Sequence, residues 1–467
     1  MDDEFNGFLL FRLNDLYLAP VCLMLLYFFA ILMRRKYKNS VLGRYILPAL
    51  TARFIAAIVY TYITQYYYGF GDSTTYYKGV LDMHRAYIAD PDIVLNAYTK
   101  ISLARTDLLY PYFLYDGSGG IHYYMLDPRT FTVPRLALPF SLIFNKSFLC
   151  ISFCISYFSF LGSWRILKMF YEIYPHLHKK LAIAILFLPS TLIWGVSLLK
   201  DPICLGAMGF FIYAAYSLLI KKRRIASSII SLIIFGFILV NLKVYILICV
   251  AAVFLLWVFL RFREGIKEPV LKNVSTILFS VVAVVAGYFL VNQLASDENS
   301  SKFSTEQILN TIQATHNSFS NLGGTIEEGG RSNFSVGNAS NSVLGTILLY
   351  PQGIVNAYLR PFPWDVHSPI MLISMLESFA FLLLTIKCFA GVGVGKTFSY
   401  IFSDPLITFC FVFAMVFGGI IGITTTNFGA LVRYKIPSIP FYALTFLLVM
   451  DKSGKFSPNY IFSKRFF

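Results

Sequence analysis

The chain has 467 residues, of which 57% are hydrophobic, 17% aromatic and 13% charged, with a net charge of +15 and a mean hydropathy of +0.66. Soluble domains carry about 25% charged and about 45–50% apolar residues, so the composition excludes an ordinary soluble protein and points to a polytopic membrane protein. Lys and Arg cluster in short loops between apolar runs, a pattern of membrane topology and lipid contact rather than of nucleic-acid binding.

A crossing takes about 20 mostly apolar residues. Read in chain order, about eleven such runs occur, near 16–33, 44–66, 147–168, 180–199, 202–220, 225–242, 244–260, 273–294, 369–389, 405–424 and 437–450. The acidic start Met1-Asp2-Asp3-Glu4 is unlike a cleavable signal, so the first run is expected to stay as an anchor. With the N-terminus outside, the basic groups at 34–38, 178–180, 221–224, 261–267, 396 and 452–465 all fall on one side, which is then cytoplasmic. The seven cysteines lie in or beside apolar runs with no CxxC or Cys/His spacing, so they are expected to pack rather than bind metal.

The expected fold is all-α: one membrane-embedded helical bundle over 1–467, with two long outer segments. The first, 69–146, carries aromatic pieces (Tyr110-Pro111-Tyr112-Phe113, His122-Tyr123-Tyr124) suited to the membrane interface. The second, 295–342, is rich in Ser, Asn and Gly. Residues 343–366 are expected to form a re-entrant or interfacial segment. The apolar part, 343–358, is short and broken by Pro351 and Gly353, and a full crossing there would put Lys452 to Arg465 outside.

On this topology Asp72, Lys78, Lys200, Asp201, Lys243, Arg360, Asp365, Arg433 and Lys435 lie at the outer face, where Lys and Arg should be scarce. Each alone could be a snorkelling side chain. Together they make a cationic rim suited to a lipid-linked phosphate, Arg offering a bidentate fork and Lys a point charge. Asp72, in Phe70-Gly71-Asp72-Ser73, is the candidate base, in a partly desolvated setting with Gly71 allowing a tight turn; the plainer reading is a helix-end residue.

A long first outer loop with an Asp after an early span, flanked by interfacial aromatics, resembles the GT-C superfamily of integral-membrane glycosyltransferases. The stretch Asn427 to Pro437, containing Arg433-Tyr434-Lys435-Ile436-Pro437, is similar to the Arg-Tyr-x-x-Pro stretch that opens a late span in bacterial members. Pro189 to Asp201 and Arg360-Pro361-Phe362-Pro363-Trp364-Asp365 resemble blocks in bacterial membrane proteins linked to surface polysaccharide. The resemblance implies a bacterial inner-membrane enzyme with its active site on the outer face. It would move a sugar from a polyprenyl-phosphate donor to a glycan, lipid or protein acceptor. Asp72 would be catalytic, and Lys200, Asp201, Arg360, Trp364, Asp365, Arg433, Tyr434 and Lys435 would bind substrate. The chain departs from the pattern in placing the acidic loop after the second span and in showing no clear second acidic motif. Participation of a divalent metal therefore stays open.

The alternative is a polysaccharide polymerase or ligase of the O-antigen type, using Arg331 and His316 of the second outer segment. A third is a transporter of lipid-linked sugars, for which the spans offer few mid-membrane charges, mainly Glu377 and Lys387. Ala390 to Thr397 fits a permissive phosphate-loop pattern. A dozen residues between two spans cannot hold the strand and helix such a loop joins, so ATP is not expected.

Overall fold

The computed structural model describes residues 9–69, 71–98, 108–115, 120–121, 127–268, 270–275, 278, 348–425 and 427–455. The apolar run 273–294 is almost wholly outside them, as are the second outer segment 295–342, His316, Arg331, and Phe70 of the acidic motif. The described chain is almost entirely helical, and its strand pairing is one short antiparallel pair, Leu114–Tyr115 with Gly120–Ile121. Among the described residues seven helices are long and apolar enough to cross a bilayer, and the chain is a helical membrane protein. Two compact units, Met1–Ile248 and Cys249–Phe467, divide it.

In the first unit, α1 (Asp15–Arg35) and α2 (Gly43–Ile63, continued by a π turn Thr64–Tyr68) pack on α6 (Phe148–Ile173). Leu16, Met24, Phe28 and Phe29 of α1 face outward, as a lipid-contacting helix requires. The first long segment folds as α3 (Asp72–Ala89), α4 (Pro91–Ala97) and α5 (Pro128–Ile143) around a small core of Met83, Ala86, Val94, Leu109, Phe113, Phe131 and Leu138. It therefore has an interior of its own. Asp127 caps α5, accepting from Thr130 N–H (3.1 Å), with Pro128 at the first helical position.

The predicted span 180–199 is broken. It comprises α7 (His178–Leu186), α8 (Pro189–Trp194) and an irregular stretch, 195–199, leading into α9 (Lys200–Ala215, continued by a π turn to Ile220). Backbone that leaves the helix at membrane depth must be satisfied inside the protein, and α6 supplies the partners. Ser152, Ser156, Ser159 and Ser163, spaced four, three and four residues apart, share one buried helix face. Ser156 Oγ accepts from Ser197 N–H (3.2 Å), and Ser152 Oγ bonds Ser197 Oγ (3.2 Å). Arg53 of α2, fully buried, donates to Ser159 Oγ (3.0 Å), Ser163 Oγ (2.9 Å) and the Gly195 carbonyl (3.3 Å). Ser197 holds a left-handed backbone (φ 68°), unusual for a residue with a side chain. Just beyond, α6 and α9 cross backbone to backbone: a Cβ on Gly162 would lie 2.2 Å from the Gly206 carbonyl oxygen.

The predicted spans 225–242 and 244–260 form α10 (Ile225–Glu264), whose 40 residues are interrupted at Lys243 (φ −146°, ψ 77°). At 1.5 Å per residue such a helix would be about 60 Å long, twice a bilayer's hydrocarbon core, so the interruption at mid-length matches two crossings.

Contacts fix the two ends of the first unit. At one end Leu10 and Phe11 N–H groups donate to Gln65 (both 2.9 Å), and Ser147 Oγ donates to Asp15. At the other, Trp164 reaches Tyr37 (3.3 Å), Arg44 and Tyr45 meet His178, and Arg223 binds Glu172 (2.7 Å). The basic groups at 34–38, 178–180 and 221–224 thus share one end.

The second unit comprises α11 (Tyr350–Leu359), α12 (Pro369–Val392), α13 (Val394–Ser403), α14 (Pro405–Thr424), α15 (Phe428–Tyr434) and α16 (Ile439–Lys452); α11, α13, α15 and α16 pack on α14, and α12 packs on α11, α13 and α16. The predicted span 437–450 becomes the 14-residue α16, and the apolar 343–358 keeps only the ten residues of α11 among the described ones, about 15 Å of helix. Gly353 is where α11 meets α14: a Cβ on Gly422 would sit 1.9 Å from the Gly353 carbonyl oxygen. Tyr350 donates to the Val416 carbonyl (3.0 Å) and Tyr358 to that of Ala414 (2.7 Å). Lys452 contacts Ser403 (3.2 Å) and Asp404 (3.5 Å), and Arg263 lines a cleft with Phe402 and Ser403, so basic groups share one end here also.

The crossing has no room to give, because both neighbours are backbone. Gly422→Ala should lower stability by about 3 kcal/mol or more. Gly391→Ala, whose Cβ would meet only the flexible end of Lys455 at 3.9 Å, should leave it unchanged. Thermal unfolding of the purified protein in detergent checks both, and equal melting temperatures would refute the crossing.

Candidate functional site

At the end of the first unit away from its basic clusters, the N-termini of α3, α5 and α9 bring charged groups together. Lys200, the first residue of α9, donates to Thr130 Oγ1 (2.9 Å), which donates to Asp127 Oδ2 (2.9 Å). Lys200 Nζ also lies 3.6 Å from that carboxylate oxygen and 5.8 Å from the centre of the Tyr76 ring. Asp72, Lys243 and Arg129 are near enough for their charges to act on Lys200. Its side chain keeps 15% of its surface exposed.

Asp201 turns the other way and pairs with Lys243, both enclosed (4% and 10% of side-chain surface exposed). The Lys200-Asp201 pair of the sequence is therefore two separate contacts rather than one. Lys243 sits at the interruption of α10, and its pairing ties that interruption to the start of α9. Desolvating such a pair costs much of what the attraction returns, whereas losing one partner leaves a buried charge.

Asp72 is the first residue of α3 and exposed, so the partly desolvated setting expected of a base is not what surrounds it. Gly71 is extended (φ 168°, ψ −178°), a conformation open to any residue, and the left-handed turn after α2 falls at Gly69 (φ 68°). Lys78 is half-buried on α3.

The remaining predicted residues belong to the second unit. Arg360 forks onto Asp365, Nε to Oδ2 (3.1 Å) and Nη2 to Oδ1 (2.8 Å), and lies 5.0 Å from the Phe428 ring centre. Burial alone would raise the Asp365 carboxyl. The Arg360 hydrogen bonds and charge, with the Phe362 N–H (2.8 Å), outweigh it and hold the group below the usual carboxylate range. The fork expected to grip a phosphate is thus engaged by a carboxylate. Trp364 is 74% exposed and tilts against Phe362 (5.0 Å between centres). Arg433 lies against the Tyr434 ring (5.9 Å), both half-buried. Lys435, by contrast, is 1% exposed, and its Nζ has no hydrogen-bond partner among the described residues. Burial pushes its ammonium down to about 8, with the charge of Glu377 opposing.

Among the described residues no group of three or more His, Cys, Asp or Glu side chains could hold a metal ion. The permissive phosphate-loop match joins α12 to α13 through Gly393, helix to helix, without the strand such a loop needs. Comparison with protein-family models, with curated proteins and with solved structures gives no match.

Arg53, Asp127 and Thr130 escaped sequence reasoning. An Arg in the middle of the apolar run 44–66 and the Asp-Pro-x-Thr helix start were both visible as signals.

Lys435 gives a pH test. Its folded value, about 8, lies below the ordinary 10.5. Below about pH 8 folded and unfolded chains both hold the proton, and the cost of burying the charge is present in full. Between the two values the folded protein has released a proton that the unfolded chain keeps, so stability rises with pH. The melting temperature of the wild type should therefore climb relative to Lys435→Met from about pH 7.5 to about pH 10. A pH-independent difference would contradict the burial of a charged Lys435.

Proposed function

We propose that the protein is a membrane glycosyltransferase. It moves a sugar from a polyprenyl-phosphate donor to an acceptor at the outer face of a bacterial inner membrane, in the synthesis of cell-surface polysaccharide. The observation that carries this reading is the Asp72–Asp127–Thr130–Lys200 cluster, in which the exposed Asp72 carboxylate acts through its charge on Lys200 at the end of the first unit opposite its basic groups.

In the proposed step an acceptor hydroxyl attacks the anomeric carbon of the donor sugar. The new carbon–oxygen bond forms as the bond to the phosphate oxygen breaks, and the phosphate leaves with the electron pair. Asp72 takes the hydroxyl proton, and its exposure lets an acceptor arrive from water. Lys200 meets the charge growing on the leaving phosphate, held on α9 by Thr130 and Asp127. The Asp201–Lys243 pair fixes the first turn of α9 from below. Arg360, with Asp365 on its fork, is assigned no phosphate in this step.

Asp72→Asn should insert normally and lose activity by a factor on the order of 10² to 10⁴, the usual contribution of a positioned base. Asp127→Asn should lose far less, because an amide also caps a helix. Saccharide transfer onto the lipid and polymer fractions of membranes carrying each variant measures both. Transfer at the wild-type rate in Asp72→Asn would end the base assignment, and loss confined to Asp127→Asn would move it to that residue.

A further inference from the structure

The second unit holds a buried group that the proposed transfer step does not use. Lys435 follows the short helix α15 and is enclosed together with Glu377 of α12, at 1% and 4% exposure. The two act on each other through charge, but no acceptor lies within hydrogen-bond distance of Nζ among the described residues. An ammonium carries three donors. Leaving them unspent in an enclosed site costs free energy that a merely structural residue has no reason to incur.

The surroundings say what the missing partner is like. Next to Glu377, Ser378 Oγ donates to the Arg360 carbonyl (2.7 Å), and the Arg360 guanidinium is committed to Asp365. The charges at this end are thus of both signs: Glu377 acts on Lys435, Asp365 holds Arg360, and half-buried Arg433 lies two residues before Lys435. An incoming phosphate would gain from Lys435 and be repelled by Glu377. A group that both accepts from an ammonium and donates to a carboxylate meets no such conflict, and hydroxyl is that group.

We infer that Lys435 and Glu377 form a saccharide-hydroxyl site, in which one sugar hydroxyl accepts from Nζ and the same or a neighbouring hydroxyl donates to the Glu377 carboxylate. The site takes neutral carbohydrate, and Lys435 leaves the phosphate rim. This goes beyond the transferase reading. A binding test without turnover addresses it, so either assignment can fail alone.

The test uses the full-length protein purified in detergent, with thermal unfolding as readout. Glucose, galactose, mannose, N-acetylglucosamine and glucuronate are added singly, and inorganic phosphate serves as the anionic probe. At least one neutral sugar should raise the melting temperature of the wild type by several degrees, as saturating ligand does. The shift should vanish in Glu377→Gln/Lys435→Met, and phosphate should give no shift that depends on Lys435. The double variant also separates function from structure. It removes both charges at nearly constant volume, so without sugar it should melt higher than the wild type. Four results would overturn the inference: a lower melting point in the unliganded double variant, a sugar shift that survives in it, no shift with any sugar, or a shift with phosphate that requires Lys435.

Discussion

A bilayer offers no hydrogen-bond partners, and the first unit is organised around meeting that constraint where its fourth apolar run leaves the helix. Arg53 and the serine face of α6 take up the Gly195 carbonyl and the Ser197 amide that a continuous helix would have satisfied by itself. The irregular stretch they hold leads straight into Lys200, which therefore begins a new helix beside Asp127 rather than continuing an old one. Without that break Lys200 would be one more residue inside a span. With it, an ammonium, two carboxylates and a tyrosine ring meet at one end of the unit.

The second unit solves a related problem differently. Its close crossing of α11 on α14 is made by glycines at 353, 418, 419 and 422, which let tyrosine hydroxyls reach backbone carbonyls of the facing helix. At the end of that unit opposite Lys452, Arg360 is held by Asp365, while the buried Lys435 Nζ has no hydrogen-bond partner among the described residues. The two units thus carry polar sites of different character. One is a part-open cation flanked by acids, and the other an enclosed pair of opposite charges.

Much of the membrane architecture was legible in the sequence, because hydropathy over some 20 residues and the placement of Lys and Arg are long-range signals that local detail does not blur. The runs at 16–33, 44–66, 147–168, 369–389 and 405–424 each coincide with a long helix. The interruptions were harder to read. Nothing in the hydropathy of 180–199 marks the irregular stretch 195–199, and the Ser197 amide is met by a serine 41 residues earlier. Lys243 was legible as a boundary, because a charge interrupting an apolar run of 40 residues has few other meanings. Asp72, Lys200 and Asp201 were recognisable as exceptions to the charge rule. What the sequence could not supply was their partners, Asp127, Thr130 and Lys243, because pairing depends on which helix ends meet. The expectation that Arg360 grips phosphate failed to foresee Asp365 on its fork, although the two are only five residues apart.

The central claim is that the acidic cluster and the basic clusters of the first unit lie on opposite sides of a membrane. Single cysteines at Asp92 and at Lys222, both exposed, placed in a background without native cysteines, test it with a membrane-impermeant thiol reagent. The account predicts that Asp92→Cys is labelled in intact cells and Lys222→Cys only after permeabilisation. Labelling of both from the same side, or of Lys222→Cys alone in intact cells, would contradict it.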